Sequence, residues 1–501
     1  MPRHSVGSVG LSGGVPSLRM TVSDGRPPNV AGEFVLYWMT SARRAAWNFA
    51  LDQGIAWARS LKRPLVVVES LTCGGRWDSD RHHAFVLQGM RDNRQAFARS
   101  PIGYYPFVER TASEGNAFLA ALAKRACVII EDNFPRPASF LEMHAVECRT
   151  ERIDSNGLLP LQATERAYPT AFAFRRFLQK NMPDHWLDRP SAKPLARLKL
   201  PPPIAFPATL ARRWPQASPE LLETACESLR ELPIDHAVRP VATQGGSATA
   251  HRTLRRFIES GLPCYAADRN HPDAEAASGL SPYLHHGHIS AHEVFWAIAE
   301  SEDWTPGRAS DRATGSREGW WGLGSNAEAF VDQLVTWREL GYNMARHVAA
   351  HDRFESLPDW AQATLAKHAR DHRPVVYSPT RLEAAETDDP VWNAAQRQLR
   401  CDGMIHNYLR MLWGKRVVEW TRRPRDAAAI LIELNNRYAL DGQDPNSYSG
   451  VFWILGRYDR PWGPERPIYG RIRYMSSQNA FRKLRMKEYL ARYGAHSPLT
   501  S

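Results

Sequence analysis

No stretch of this 501-residue chain approaches the roughly 18–20 consecutive apolar residues that a membrane-spanning helix requires. The opening segment MPRHSVGSVGLSGGVPSLRM has no continuous apolar run either, so no secretory signal is expected and 1–31 reads as a disordered leader. Cysteine is sparse. Cys73, Cys127, Cys148, Cys226, Cys264 and Cys401 form no CxxC pair, which argues against a zinc or iron–sulfur site and against a disulfide framework. Such usage fits a reducing compartment, and the expected location is the cytoplasm. Acidic residues are also short, 53 against 64 lysines and arginines, giving a net charge of +11 and a pI near 9.4. An anionic partner follows, and nucleic acid is the most economical one because each phosphate contact releases counterions.

Aromatic rings, in contrast, are plentiful: of 17 tryptophans, 11 fall at or after Trp296. A region so rich in flat rings is a large helical core, a place where planar ligands stack, or both. The chain before it has a different rhythm. FVLYW, PLVVVES, GYYPFVE and CVIIED read as short buried strands, and the stretch 41–59 between the first two reads as a helix. This alternation predicts a parallel α/β sheet over 32–165. No GxGxxG follows the first strand, so dinucleotide binding by that sheet is not supported. The segment 166–215 is rich in proline and reads as an extended linker, and long helical patterns fill 216–493.

Three local patterns carry chemistry. The segment DPVWNAAQRQLRCDGMIHNYLRMLWGKRVVEW ends in a helical stretch with Trp413 and Trp420 seven residues apart, on one face and roughly 10 Å apart along the axis, with Trp392 upstream. Rings spaced this way could pass an electron inward to a buried acceptor, or could simply be core. In SGLSPYLHHGHIS, Ser281 followed by Pro282 reads as a helix start, Ser as the cap and Pro at the first helical position. Three histidines in four positions there invite a metal reading. The spacing does not converge on one face, and no metal site is expected. In LDGQDPN, Asp441 could pair with Arg410 as an ordinary salt bridge, and Asp444 with Asn446 could only shape a turn.

Taken in order, VLYWMTSARRAAWNFAL, SGLSPYLHHGHIS, FVDQLVTWRELGYN, IHNYLRMLW, LNNRYALDGQDPNSYSGVFW and YDRPWGPERPIYGRIRYMSS resemble the photolyase/cryptochrome superfamily, nearest to the class II cyclobutane pyrimidine dimer photolyases. The resemblance implies a Rossmann-like α/β antenna domain with a parallel sheet, followed by an all-α FAD-binding domain. It implies FAD as cofactor, a second antenna chromophore whose identity the sequence does not give, and a monomer acting on double-stranded DNA that contains pyrimidine dimers. By the same match, Ser278, Gly279, Leu280, Ser281 and Tyr265 would hold the FAD pyrophosphate region. Asn407, Arg410, Met411, Asn435 and Asp441 would lie against the isoalloxazine, with Arg338 and Asp444 close by. Glu339, Met411 and Trp453 would face an extruded dimer, and Arg269, Arg397, Arg460 and Arg473 would contact DNA. The relay would run from Trp413 nearest the flavin through Trp392 to Trp420. The expected activity is light-driven repair of the dimer, with a cryptochrome-like photoreceptor or a photolyase for another lesion as alternatives. His286 and His288 stand where the family usually has Phe and Gln, and Leu412 stands where class II sequences often have Tyr.

Overall fold

The computed structural model describes residues 14–23, 25–135, 148–224 and 226–494, without the side chain of Cys226. Six strands form one sheet: β1 (Met20–Val22), β2 (Phe34–Met39), β3 (Leu65–Leu71), β4 (Gly103–Val108), β5 (Ala126–Asp132) and β6 (Arg149–Ile153). Their spatial order is β1-β6-β5-β2-β3-β4, parallel throughout except for β1 against β6. Side chains alternate along each strand, so Val35, Tyr37 and Met39 join one buried cluster while Phe34, Leu36 and Trp38 join another. Both faces are covered, which is why these strands read as unbroken apolar runs.

The four expected strands form, and two more were not anticipated. β1 lies in the supposed leader, pairing Met20 with Ile153 and Val22 with Glu151. Just before it, Arg19 is fully buried and donates to the carbonyls of Gly157 (3.0 Å) and Leu158 (2.5 Å). The leader is therefore built into the sheet from at least Val15, whose amide donates to Gln53; residues 1–13 of it lie outside the described residues.

The first helix is Phe49–Leu61 and starts later than expected. The reason is Asp132 at the end of β5. One of its carboxylate oxygens accepts from the amides of Thr40, Ser41 and Ala42 at 2.7–2.9 Å, and the other from the Tyr37 hydroxyl. Those amides close a turn after β2 instead of beginning a helix. They form the kind of anion nest that binds phosphate in nucleotide-binding sheets, and here the protein's own carboxylate fills it.

The linker reading also needs correction. Residues Ala171–Asn181 form a helix that buries Ala171, Phe174 and Leu178 in the helical core. Within the expected linker the longest stretch without regular structure is 186–207, and Trp214 then stacks on Phe118 of the sheet unit at 5.3 Å. Beyond it the chain is helical. One core gathers around Pro390–Asp402, Asn407–Trp420, Pro424–Tyr438 and Pro445–Ile454, and a second around Ala291–Ser301, Ser325–Val331 and Arg338–His347.

The two units are locked by the helix Asp80–Phe97. Arg81 donates to the carbonyls of Leu399, Arg400 and Tyr438 at 2.6–3.3 Å, and His82 Nε2 meets the carbonyl of Ala439 at 3.0 Å. These carbonyls lie at helix C-termini, which attract positive charge. The backbones approach so closely that a Cβ on Gly287 would lie 1.7 Å from the Ser41 carbonyl oxygen. Among the described residues no helix is long and apolar enough to cross a membrane.

Candidate functional site

The helix Asn407–Trp420 has two unlike sides. Leu409, Leu412, Trp413, Val417 and Trp420 are sealed in the core, whereas Asn407, Arg410 and Met411, at i, i+3 and i+4, are left open. A helix buried elsewhere but less covered along one stripe can present that stripe to a ligand. Arg410 is held by Asp441 through contacts of 3.0 and 3.4 Å, both side chains only slightly exposed. Asn435 is buried nearby and donates to Ser447 at 2.8 Å and to Asn436 at 3.1 Å. At the start of the helix His406 keeps a buried Nδ1 with no protein partner.

On the sealed side the three expected tryptophans meet. Trp392 lies 6.4 Å from Trp413, nearly parallel at 5°, and 5.4 Å from Trp420 at 75°. Trp392 Nε1 donates to the Trp413 carbonyl and Trp413 Nε1 to Gln396, each at 2.9 Å, so the rings are pinned and not merely packed. Trp420 is itself buried, and the series continues outward to Tyr377, 5.1 Å away, whose hydroxyl donates to Asp388 at 2.7 Å.

The segment 278–281 is arranged differently from expectation. Ser281 is the first residue of a five-residue helix and caps nothing; Leu280 stands at the cap position in helical conformation, and Ser278 Oγ accepts from the Leu280 amide at 3.3 Å. Gly279 adopts φ +66°, a conformation that favours glycine, and a Cβ there would meet only the Thr253 methyl at 3.6 Å. Tyr265 shares a buried cluster with Leu280 and carries the Arg269 guanidinium over its ring at 5.5 Å.

Glu339 points at the sheet unit. It is buried, and its two oxygens accept from the amides of Leu158 (2.7 Å) and Leu159 (3.1 Å). Burial raises its pKa to about 7 despite those amides and the nearby Arg338. Its neighbour Arg338 likewise turns to the sheet unit, donating to the Asn156 carbonyl at 2.7 Å and to the Tyr342 hydroxyl at 3.0 Å. The Tyr342 hydroxyl donates to Asp444 at 2.9 Å, and Asp444 also accepts from the Asn446 amide as the cap of Pro445–Ile454 and meets His285 at 3.1 Å. Arg338, Glu339 and Asp444 thus form a junction between units.

Of the four arginines expected on DNA, Arg397 is occupied, bonded to the carbonyls of Tyr493 and Ala385. Arg460 and Arg473 are exposed and both lie 5.1 Å from the Trp462 ring, and Arg473 also lies 5.7 Å from Trp453. His286 Nε2 meets the Leu440 carbonyl at 2.9 Å, and His288 Nδ1 accepts from the Gly246 amide at 3.0 Å. Among the described residues no three metal-ligating side chains converge.

Comparison with known proteins gives a consistent picture. Over 477 residues the chain is 31% identical to the deoxyribodipyrimidine photo-lyase of Methanothermobacter thermautotrophicus, covering 94% of this chain and 96% of that one. It is 30% identical to the enzyme of that name from Potorous tridactylus (91% of this chain, 80% of that one) and 31% identical to that of Oryza sativa subsp. japonica (91% and 87%). The chain belongs to the deoxyribodipyrimidine photo-lyase family. No family model matches it. A solved bacterial class III photolyase from Agrobacterium tumefaciens superposes with a TM-score of 0.65 over 92% of this chain and 86% of that one. At 15% identity this likeness concerns the fold alone.

For a photo-lyase the open stripe of Asn407, Arg410 and Met411, backed by three pinned indoles, suits the FAD implied by the family resemblance. Two residues of this region escaped the sequence reading. Tyr377 has no periodic relation to Trp420, and only the fold brings them together. Lys415 was legible as a lone lysine in LWGKRVVEW, among residues that otherwise bury.

Proposed function

We infer that this chain splits cyclobutane pyrimidine dimers in DNA, driven by light, with FAD as cofactor. The observation that carries this reading is the two-sided helix Asn407–Trp420, in a chain alike to photo-lyases over nearly its whole length. Reduced FAD, when bound, supplies the electron that a blue or near-UV photon releases. Asn407, Arg410, Met411, Asn435 and Asp441 would hold its ring system, and the turn at Ser278, Gly279, Leu280 and Ser281 with Tyr265 its phosphate side. Arg410 brings a fixed positive charge, neutralised on one side by Asp441, that favours an anionic ligand edge. Trp413, Trp392 and Trp420 give oxidisable rings in contact, so an electron can be handed inward from the Tyr377 end.

Trp453, half-buried, and Met411 offer apolar surface to a dimer that has left the base stack, a step cheaper for a damaged pair than for normal bases. Arg460, Arg473 and Arg269 would neutralise backbone phosphates, in keeping with the net charge of +11. A second chromophore has room in a cavity of about 340 Å³ between the units, lined by Arg44, Asn93, Lys193, Leu195 and His251 among others. That volume lies within the ordinary range of small-molecule sites.

The test is loss of the dimer from a defined thymine-dimer duplex incubated with reduced, FAD-loaded protein under blue light, beside a dark control. Light-dependent repair that weakens in Trp453→Ala is expected. A protein that holds FAD and repairs nothing would overturn the reading.

A further inference from the structure

Lys415 is wholly buried, yet it has no acid to pair with: among the described residues no carboxylate lies within ion-pair distance of it. Its ammonium donates to the Ile454 carbonyl at 2.5 Å and stands 5.3 Å from the centre of the Trp453 ring. Ile454 ends the helix Pro445–Ile454, so its carbonyl is one that lacks a partner within the helix. At longer range Asp459 favours the charge and Arg473 opposes it. On its own helix stand Arg416 and Glu419, paired with each other, and the Tyr469 hydroxyl donates to the carbonyl of Lys415 and to Glu419. Burial brings the lysine down to about 7.

Keeping an unpaired ammonium dry is expensive, and an apolar side chain of similar length would fill the space at less cost. The ring it faces suggests what is gained. Arg473 lies over the same indole and also over Trp462, which Arg460 covers in turn. Cation and indole thus alternate from the exposed Arg460 through Trp462, Arg473 and Trp453 to the buried Lys415. We propose that Lys415 is a positioning residue for the lesion: anchored on the Ile454 carbonyl, it fixes the Trp453 indole as the inner wall for an extruded dimer, and the alternating stack joins that wall to the DNA-facing arginines. This rests on Trp453 being a lesion contact, as proposed above.

A cation holds an aromatic face and a neutral amine does not. The wall is therefore firm while Lys415 is charged and loosens as pH rises through its titration. The experiment measures, in the dark, binding of a thymine-dimer duplex and of the undamaged duplex to FAD-loaded protein at about pH 6 and about pH 8.5. In the unmodified protein the preference for the dimer should fall roughly tenfold between the two. Lys415→Met should show the weaker preference at both values with an undiminished melting temperature, and Lys415→Arg the stronger one at both. The same preference and pH dependence in the unmodified protein and Lys415→Met would overturn the proposal. Trp453→Ala separates the two levels. If it removes the preference and Lys415→Met does not, the role of Lys415 alone falls; if it leaves the preference intact, the lesion reading of Trp453 falls with it.

Discussion

Glu339 makes a bond with each oxygen to a backbone amide of the other unit, in a place water does not reach. Its carboxyl, ordinarily at 4.5, is raised to about 7 by burial, with the Leu158 amide, Arg338 and the Leu159 amide pulling the other way. The folded chain therefore keeps a proton there that the unfolded chain releases, so the stability Glu339 adds is full below about pH 4.5 and is lost as pH rises through about 7. Glu339→Gln should flatten this window in urea unfolding and leave light-driven repair intact. Glu339→Ala should cost about 2–5 kcal/mol, because two buried amides lose their acceptor. Loss of repair in a stable Glu339→Gln protein would instead support the lesion role expected from the sequence. The bonds Glu339 makes were not legible in the sequence, because Leu158 and Leu159 lie 181 and 180 residues away and only the fold brings their amides to it. Arg410 and Asp441 were easier, since a cation on a helix and an acid in a nearby turn need only face each other, and they do at 3.0 Å.

At the scale of the element, the helix Asn407–Trp420 keeps the proposed binding stripe and the proposed relay face apart, and the two can be disabled separately. Trp392→Phe leaves the packing nearly unchanged and removes the oxidisable ring between Trp413 and Trp420. Blue-light reduction of the bound flavin, followed by absorbance, should slow by an order of magnitude or more, while repair by chemically reduced protein stays as before. Equal photoreduction in both would mean the rings are core only. The four central strands and this helix were legible because their patterns have the period of the structure they form. β1 was not, since three residues paired at a sheet edge leave no period to count, and what holds them is the distant β6. The helix Ala171–Asn181 hid behind the prolines that follow it, although its Phe174 and Leu178 have the i, i+4 spacing of a buried face. Ser281 misled because Ser-Pro is a good helix start wherever a free amide needs a cap, and here Leu280 continues the helical conformation instead.

The molecule as a whole is joined through neutral histidines. His82, His288 and His292 are buried and His286 half-buried where the sheet unit meets the helices, and burial lowers all four, His82 to about 4 and His288 to about 3. Arg43, Arg44, Arg19, Arg81 and the neighbouring His83 and His285 press the same way, while the carbonyls of Ala439 and Gly157 resist. In the unfolded chain each would bind a proton near 6.5, so their contribution to stability is complete above that value and is lost as pH falls toward the folded values. Each can add up to about 1.4 kcal/mol per pH unit, and four outweigh the opposite slope of Glu339. The melting temperature should therefore drop steeply below about pH 6, and less so in the double variant His286→Phe, His288→Gln. An unchanged acid profile in that variant would remove the interface from the explanation. At the centre of the same junction the sheet has the strand order of a nucleotide-binding fold, but Asp132 occupies the nest where a phosphate would sit. A tethered carboxylate is a resident competitor: it holds its place without the loss of free motion that any arriving anion must bear. The three amides are thereby taken up by the chain's own carboxylate, and the cradle serves as an internal brace between β2 and β5.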